Sequence, residues 1–158
     1  MRQAIMTAPG RIEFIDVPLP QPAAGEVMLR IRRIGVCGSD IHVNHGKHPY
    51  TGYPVIQGHE YSAVIEALGA GVDHLQVGQK VTATPQVVCN DCPPCRRGDY
   101  HICARLKVEG FQLPGVAQDF FVTRVEKIVP LPDAFTFEQG AMIEPLAVAV
   151  HAIGRAGE

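Results

Sequence analysis

Four of the five cysteines fall within fifteen residues, in the pattern Cys89-x2-Cys92-x2-Cys95-x7-Cys103. Cysteines three apart in a short loop cannot easily form disulfides while leaving the others usefully paired. A chain of this size also has no need of crosslinks to make its core. Four thiolates instead suit one tetrahedral zinc ion, at Zn–S distances of about 2.3 Å. Pro93-Pro94 would stiffen the loop and reduce the entropy lost when a metal closes it. Such a site carries a formal charge of about −2, which Arg96, Arg97, Arg105 and Lys107 are close enough in sequence to offset. The rivals are an iron–sulfur cluster and unconnected thiols. The bacterial iron–sulfur run places its fourth cysteine after three residues and before a proline; here seven residues intervene and Ala104 follows Cys103.

The fifth cysteine lies in Gly35-Val36-Cys37-Gly38-Ser39-Asp40-Ile41-His42. A lone cysteine after a strand is by default a small buried hydrophobe. Here glycines flank it and Ser39, Asp40 and His42 crowd polar groups beside it. Gly58-His59-Glu60 is a second cluster of ligand types, although an isolated His-Glu pair is common on surfaces. Glu144 interrupts an apolar run, where an unpaired charge is costly unless it lies on an exposed side. Together Cys37, His59, Glu60 and Glu144 supply the S, N and O ligands of a catalytic zinc with an open position.

These groups must be held by elements that the rest of the chain builds. At 158 residues there is room for one domain with a hydrophobic core. The composition is 46% hydrophobic and 19% charged with a formal net charge of −2, which offers no basic face for nucleic acid. The N-terminus lacks the apolar core of an export signal, and Pro and Gly interrupt the later apolar stretches. The expectation is a cytoplasmic chain with no membrane partner. Glu26 to Arg32 alternates, with Val27, Leu29 and Ile31 on one face and Arg30 and Arg32 on the other. Further strands are expected over 11–17, 61–68, 80–84 and 119–125, most of them bounded by Gly, Pro or Asp. Thr136-x-x-Gln139 reads as a capping box ahead of a helical stretch from Ala141 to Ile153, which Pro145 should kink or restart.

Taken in order, these motifs resemble the zinc-dependent alcohol and polyol dehydrogenases of the medium-chain dehydrogenase/reductase superfamily. The likeness runs through residues 35–40, Gly58-His59-Glu60 with Gly69-x2-Val72, the four-cysteine cluster, and Ile143-Glu144-Pro145-Leu146-Ala147. It implies a mainly β chain: a GroES-like, partly open β-barrel with a zinc-bearing loop lobe and a C-terminal helical segment, spanning residues 1–158. It also implies one catalytic zinc at Cys37 and His59, with Glu60 and Glu144 binding directly or through water, and one structural zinc at Cys89, Cys92, Cys95 and Cys103. Asp40 would accept the ring N–H of His59, while Ser39 and His42 would carry the proton away. His45 and His48 are read as loop residues near the cleft. Family members specialised for simple alcohols carry a cysteine near the position of Glu144, so a polyol or sugar-acid substrate is favoured. The implied reaction is oxidation of a secondary alcohol to a ketone with NAD or NADP, in a full-length form that is a homo-oligomer.

Two positions depart from the pattern. Ala63 replaces a glycine, and Pro114-Gly115-Val116-Ala117-Gln118-Asp119 replaces a commoner Gly-Gly-x-Ala-Glu-Tyr, which puts the local turn in doubt. The family's Rossmann cofactor domain has no counterpart here: Gly69-Ala70-Gly71 lacks the third glycine and the strand-to-helix setting. The expectation is therefore a catalytic domain, inactive alone. The alternative is a free-standing GroES-like zinc module used for binding, without catalysis.

Overall fold

A computed structural model describes residues 1–157. In chain order the elements are β1 (Arg2–Ala8), β2 (Arg11–Asp16), β3 (Glu26–Ile34), α1 (Gly38–Asn44), β4 (Tyr61–Leu68), β5 (Lys80–Ala83), β6 (Gln86–Val87), α2 (Pro93–Arg96), β7 (Lys107–Val108), β8 (Phe120–Arg124), β9 (Ile128–Pro130), α3 (Phe137–Ala141) and α4 (Ile143–Ala156). The mainly β expectation holds. A five-stranded antiparallel sheet in the order β8-β3-β4-β5-β9 forms the body, with a β1-β2 hairpin and a short β6-β7 ribbon beside it.

The alternation expected in β3 is only partly kept. Val27 and Leu29 are fully buried and Arg30 and Arg32 are exposed, but Met28 is buried too and Ile34 is exposed. Against β4 the strand shows two register shifts, between Met28 and Leu29 and between Ile31 and Arg33, while its pairing with β8 runs unbroken from Glu26 to Arg30. Each irregularity rotates the following side chains and bends the strand, as curving a sheet toward a barrel requires. The main core joins Val27 and Leu29 to Tyr61, Ile65, Val81 and Phe121. Ala63, the first departure from the family pattern, is fully buried within it. A smaller core of Met6, Val43 and Val55 packs with Tyr53 and Phe111 under α1.

Six elements went unread in the sequence, β1, α1, β6, α2, β7 and β9, and two of them bear on the first centre. The strand β1 draws its long-range bonds from afar, Ala4 N–H to Ala117 O at 2.8 Å and Met6 N–H to Val55 O at 2.8 Å. The short helix α1 starts in Gly-Ser-Asp, which are poor helix formers. It is held because the Asp40 carboxylate accepts the Cys37 backbone N–H at 3.0 Å across its first turn.

The capping box at Thr136 and Gln139 forms, with reciprocal bonds of 3.2 and 2.9 Å. The chain then restarts as α4 instead of running on. Pro145 is the third residue of that helix, where its missing N–H leaves no intrahelical bond unmade. None of α4 is buried, and Leu146, Val148, Val150 and Ile153 are each more than half exposed. No helix among the described residues is long and apolar enough to cross a membrane.

Candidate metal centres and the cleft beside them

The antiparallel register of β3 and β4 builds the first centre. Ile34 pairs with Tyr61 at the strand ends, so the next residues outward, Gly35 and Glu60, face each other. The Gly35 N–H donates to the Glu60 carbonyl at 2.7 Å. A Cβ at position 35 would lie 3.0 Å from Glu60 Cβ and closer still to Oε2. Glycine there is what lets the carboxylate turn back toward Cys37. His59 is held from the other side by Gly115 N–H to Ile56 O at 2.7 Å and Val116 N–H to Gly58 O at 3.0 Å. The departure at 114–119 thus leaves the local pairing intact.

The result brings one ligand atom each from Cys37, His59 and Glu60 within 4.8 Å of one another, with His59 and Glu60 buried and Cys37 half-buried. His59 Nδ1 is buried without a hydrogen-bond partner. A soft thiolate, an imidazole and a carboxylate at this spacing fit a divalent ion such as zinc. Glu144 is outside this close set. It lies in the first turn of α4, where burial pushes its carboxyl up, while His59 nearby pulls it down and Glu60 adds to the rise.

Asp40 Oδ1 is 3.9 Å from His59 Nδ1, within ion-pair distance but longer than a hydrogen bond. Its carboxylate is engaged by the Cys37 N–H and by Gln57 Nε2 at 3.2 Å. Asp40 therefore shapes the loop that carries Cys37, and Gln57, which the sequence did not single out, braces it. Ser39 Oγ sits 2.9 Å from Cys37 Sγ. His42 lies exposed in the last turn of α1 and His45 caps that helix.

The sequence also missed an aromatic wall along this centre. The Phe111 ring lies 4.8 Å from that of His59 and stacks on His48 at 4.7 Å with an interplanar angle of 7°. Tyr50 meets His48 edge-on at 6.3 Å. Nothing in the pattern around Phe111 marks it, because its partners are more than fifty residues away along the chain.

The second centre is local. The sulfurs of Cys89, Cys92, Cys95 and Cys103 lie within 4.8 Å of one another, and no disulfide joins them. Separations of 3.5 Å (Cys103–Cys89), 3.9 Å (Cys89–Cys95) and 4.0 Å (Cys92–Cys103) bracket the edge of about 3.8 Å that four sulfurs adopt around one tetrahedral ion. A multi-iron cluster would put a separate iron behind each thiolate and spread them further. Backbone N–H groups of Cys95 and Ala104 hold the Cys92 thiol down to about 6, whereas burial pushes Cys95 up to about 12. The N–H groups of Cys89 and Arg105 likewise point at Cys103 Sγ, both at 3.4 Å. Arg105 pairs with Asp91 and lends positive charge beside Cys89.

Residues 23–133 match the model of the alcohol dehydrogenase GroES-like domain. The chain belongs to that family. Its fold is that of the catalytic half of zinc-dependent medium-chain alcohol and polyol dehydrogenases, as galactitol-1-phosphate dehydrogenase from Escherichia coli illustrates: TM-score 0.92 and 32% identity over 99% of this chain and 45% of that one. The 2-dehydro-3-deoxy-L-galactonate 5-dehydrogenase of Pseudoalteromonas atlantica is 39% identical over 85% of the chain and 40% of its own length. Starvation-sensing protein RspB of Escherichia coli is 33% identical over 98% of the chain and 45% of its own length. The chain thus spans less than half the length of these relatives.

Proposed function

We propose that residues 1–158 are the catalytic domain of a nicotinamide-dependent dehydrogenase that oxidises a secondary alcohol of a polyol or sugar acid to a ketone. The observation that carries this reading is the convergence of Cys37, His59 and Glu60, separate from the four-thiolate lobe. Cys37, His59 and Glu60 would hold a catalytic zinc, with Glu144 close enough to influence it, and the four cysteines a structural one. A divalent ion in the first centre would supply Lewis acidity, lowering the pKa of an alcohol oxygen toward neutrality.

The chain's own residues then have distinct tasks. Ser39, beside Cys37 Sγ, would accept the alcohol proton and pass it outward, with His42 on the exposed side of α1 continuing the path. Asp40 and Gln57 fix the loop that carries Cys37. Phe111, its ring against that of His59, would shield that side of the centre from water. A carboxylate near the centre, where simple-alcohol enzymes carry another cysteine, supports a hydroxyl-rich substrate.

The relatives matched here are more than twice as long, and the nicotinamide, NAD or NADP, would be held by a further domain, with the full-length enzyme a homo-oligomer. Five unpaired cysteines suit a reducing compartment, and we place the protein in the cytoplasm. The test is metal content and turnover of the isolated chain. Two zinc ions per chain and no NAD(P) reduction with a polyol are expected. A single zinc held by the thiolate lobe alone would sink the catalytic reading, and turnover by the isolated chain would sink the division between domains.

A further inference from the structure

The segment between Asp40 and Glu60 has an unusual charge pattern. It carries His42, His45, His48 and His59, four of the chain's seven histidines, together with Lys47, and no carboxylate. Among the described residues, His42, His45, Lys47 and His48 enter no ion pair; the histidines that do are His59, with Asp40, and the distant His74. His42, His45 and Lys47 are exposed and His48 is half-buried. This loop, the rim beside the first centre, therefore carries donors with no carboxylate of its own to compensate them.

His48 is the member held in a defined pose. Its ring is stacked on Phe111, which leans in turn on His59, so that the three rings run outward from the first centre. Thr51 Oγ1 lies 2.7 Å from His48 Nδ1, leaving Nε2 as the free ring nitrogen. Gln112 Nε2 donates to Tyr50 O at 3.2 Å, tying the Phe111 turn to the His48 loop. If the Thr51 hydroxyl donates to Nδ1, the ring proton resides on Nε2 and His48 is a donor even when neutral. An anion at Nε2 selects that arrangement, and a charged ring would bind it more strongly.

Two ring contacts separate His48 from His59, a reach on the order of 10 Å. An extended chain of about six carbons, with its terminal oxygens or acid group, covers roughly that distance at ordinary bond lengths. Resting on the polyol-dehydrogenase reading above, we infer that His48, with Lys47 beside it, binds a terminal acid group of the substrate, phosphate or carboxylate, while a hydroxyl at the other end reaches the Cys37–His59–Glu60 centre. A neutral polyol would find nothing at this rim that needs its far end. An acid group would meet a positioned donor and an unpaired ammonium. His48 is thus a specificity residue, not a metal ligand.

The test uses the chain with cobalt in place of zinc, titrated with galactitol, galactonate and galactitol 1-phosphate. Cobalt absorption reports occupancy of the first centre and calorimetry reports affinity. At least one acid is expected to bind about tenfold more tightly than galactitol, and which one does so separates carboxylate from phosphate. His48→Gln, which keeps the size and an amide donor, should remove most of that preference and leave galactitol unchanged. His74→Gln should change nothing. Equal affinities for all three ligands, or a preference that survives in His48→Gln, would overturn the inference. If the acids bind and lose affinity in His48→Gln while no ligand perturbs the cobalt spectrum, the rim site stands and the polyol reading of the metal centre falls.

Discussion

At the scale of single residues, the first centre depends on an atom that is missing. Gly35 has no Cβ, and the Glu60 carboxylate fills the space one would take. Gly35→Ala should displace Glu60 and destabilise the fold by about 1–3 kcal/mol, the usual range for overpacking a tight site. Its signature is selective: cobalt bound at Cys37 should weaken or change colour while the thiolate site stays filled. Cys92→Ser probes the other centre. It should release one zinc, measured as metal per chain, and lower the Tm, while the Cys37 site keeps its ion. Retention of both metals would contradict the assignment of Cys92. The two clusters of candidate ligands were legible in the sequence, Glu144 excepted, because cysteine spacing and His-Glu adjacency are local signals. The pose of Asp40 was not, because Gln57, seventeen residues on, shares its carboxylate.

At the scale of elements, the lobe and the barrel meet at a buried ion pair. Glu109 follows β7, Lys127 precedes β9, and both are more than nine-tenths buried, with Thr123 of β8 donating to the same carboxylate at 3.2 Å. Burial raises the Glu109 carboxyl above its ordinary value, with Lys127 pulling it the other way. The folded chain therefore binds this proton more readily than the unfolded one. On this account stability falls as pH rises from the ordinary carboxylate range through the raised value. Lys127→Met removes the opposing charge. It should cost about 3–5 kcal/mol near neutrality, the range for breaking one partner of a buried pair. Because the carboxyl can then take up a proton, the loss should shrink as pH falls toward the ordinary carboxylate range. Urea denaturation at several pH values measures this; a loss independent of pH would show that Lys127 acts only through packing. No periodicity pointed to this pair, since its members lie eighteen residues apart, Lys127 at the end of a single 3-10 turn.

At the scale of the whole molecule, the strands read most clearly were those whose alternation survives burial on one face, above all β4, whose bounds match the expected 61–68. Among what escaped notice, β1 is held by Val55 and Ala117, and Phe111 by His48 and His59, all distant along the chain. The same contrast separates the two centres. The thiolate site closes a loop of fifteen residues, whereas the other must gather Cys37 and the His59–Glu60 pair from the ends of two strands in register. Short closures are entropically cheap and fast, while pairing β3 with β4 waits on the barrel. On refolding with cobalt, the sulfur charge-transfer band of the lobe should appear before the weaker bands of the mixed site, and should persist to higher urea. Simultaneous appearance would contradict this. The lobe would then be the first part of the nascent chain to commit, so that metal scarcity during synthesis acts on folding yield well before it acts on turnover.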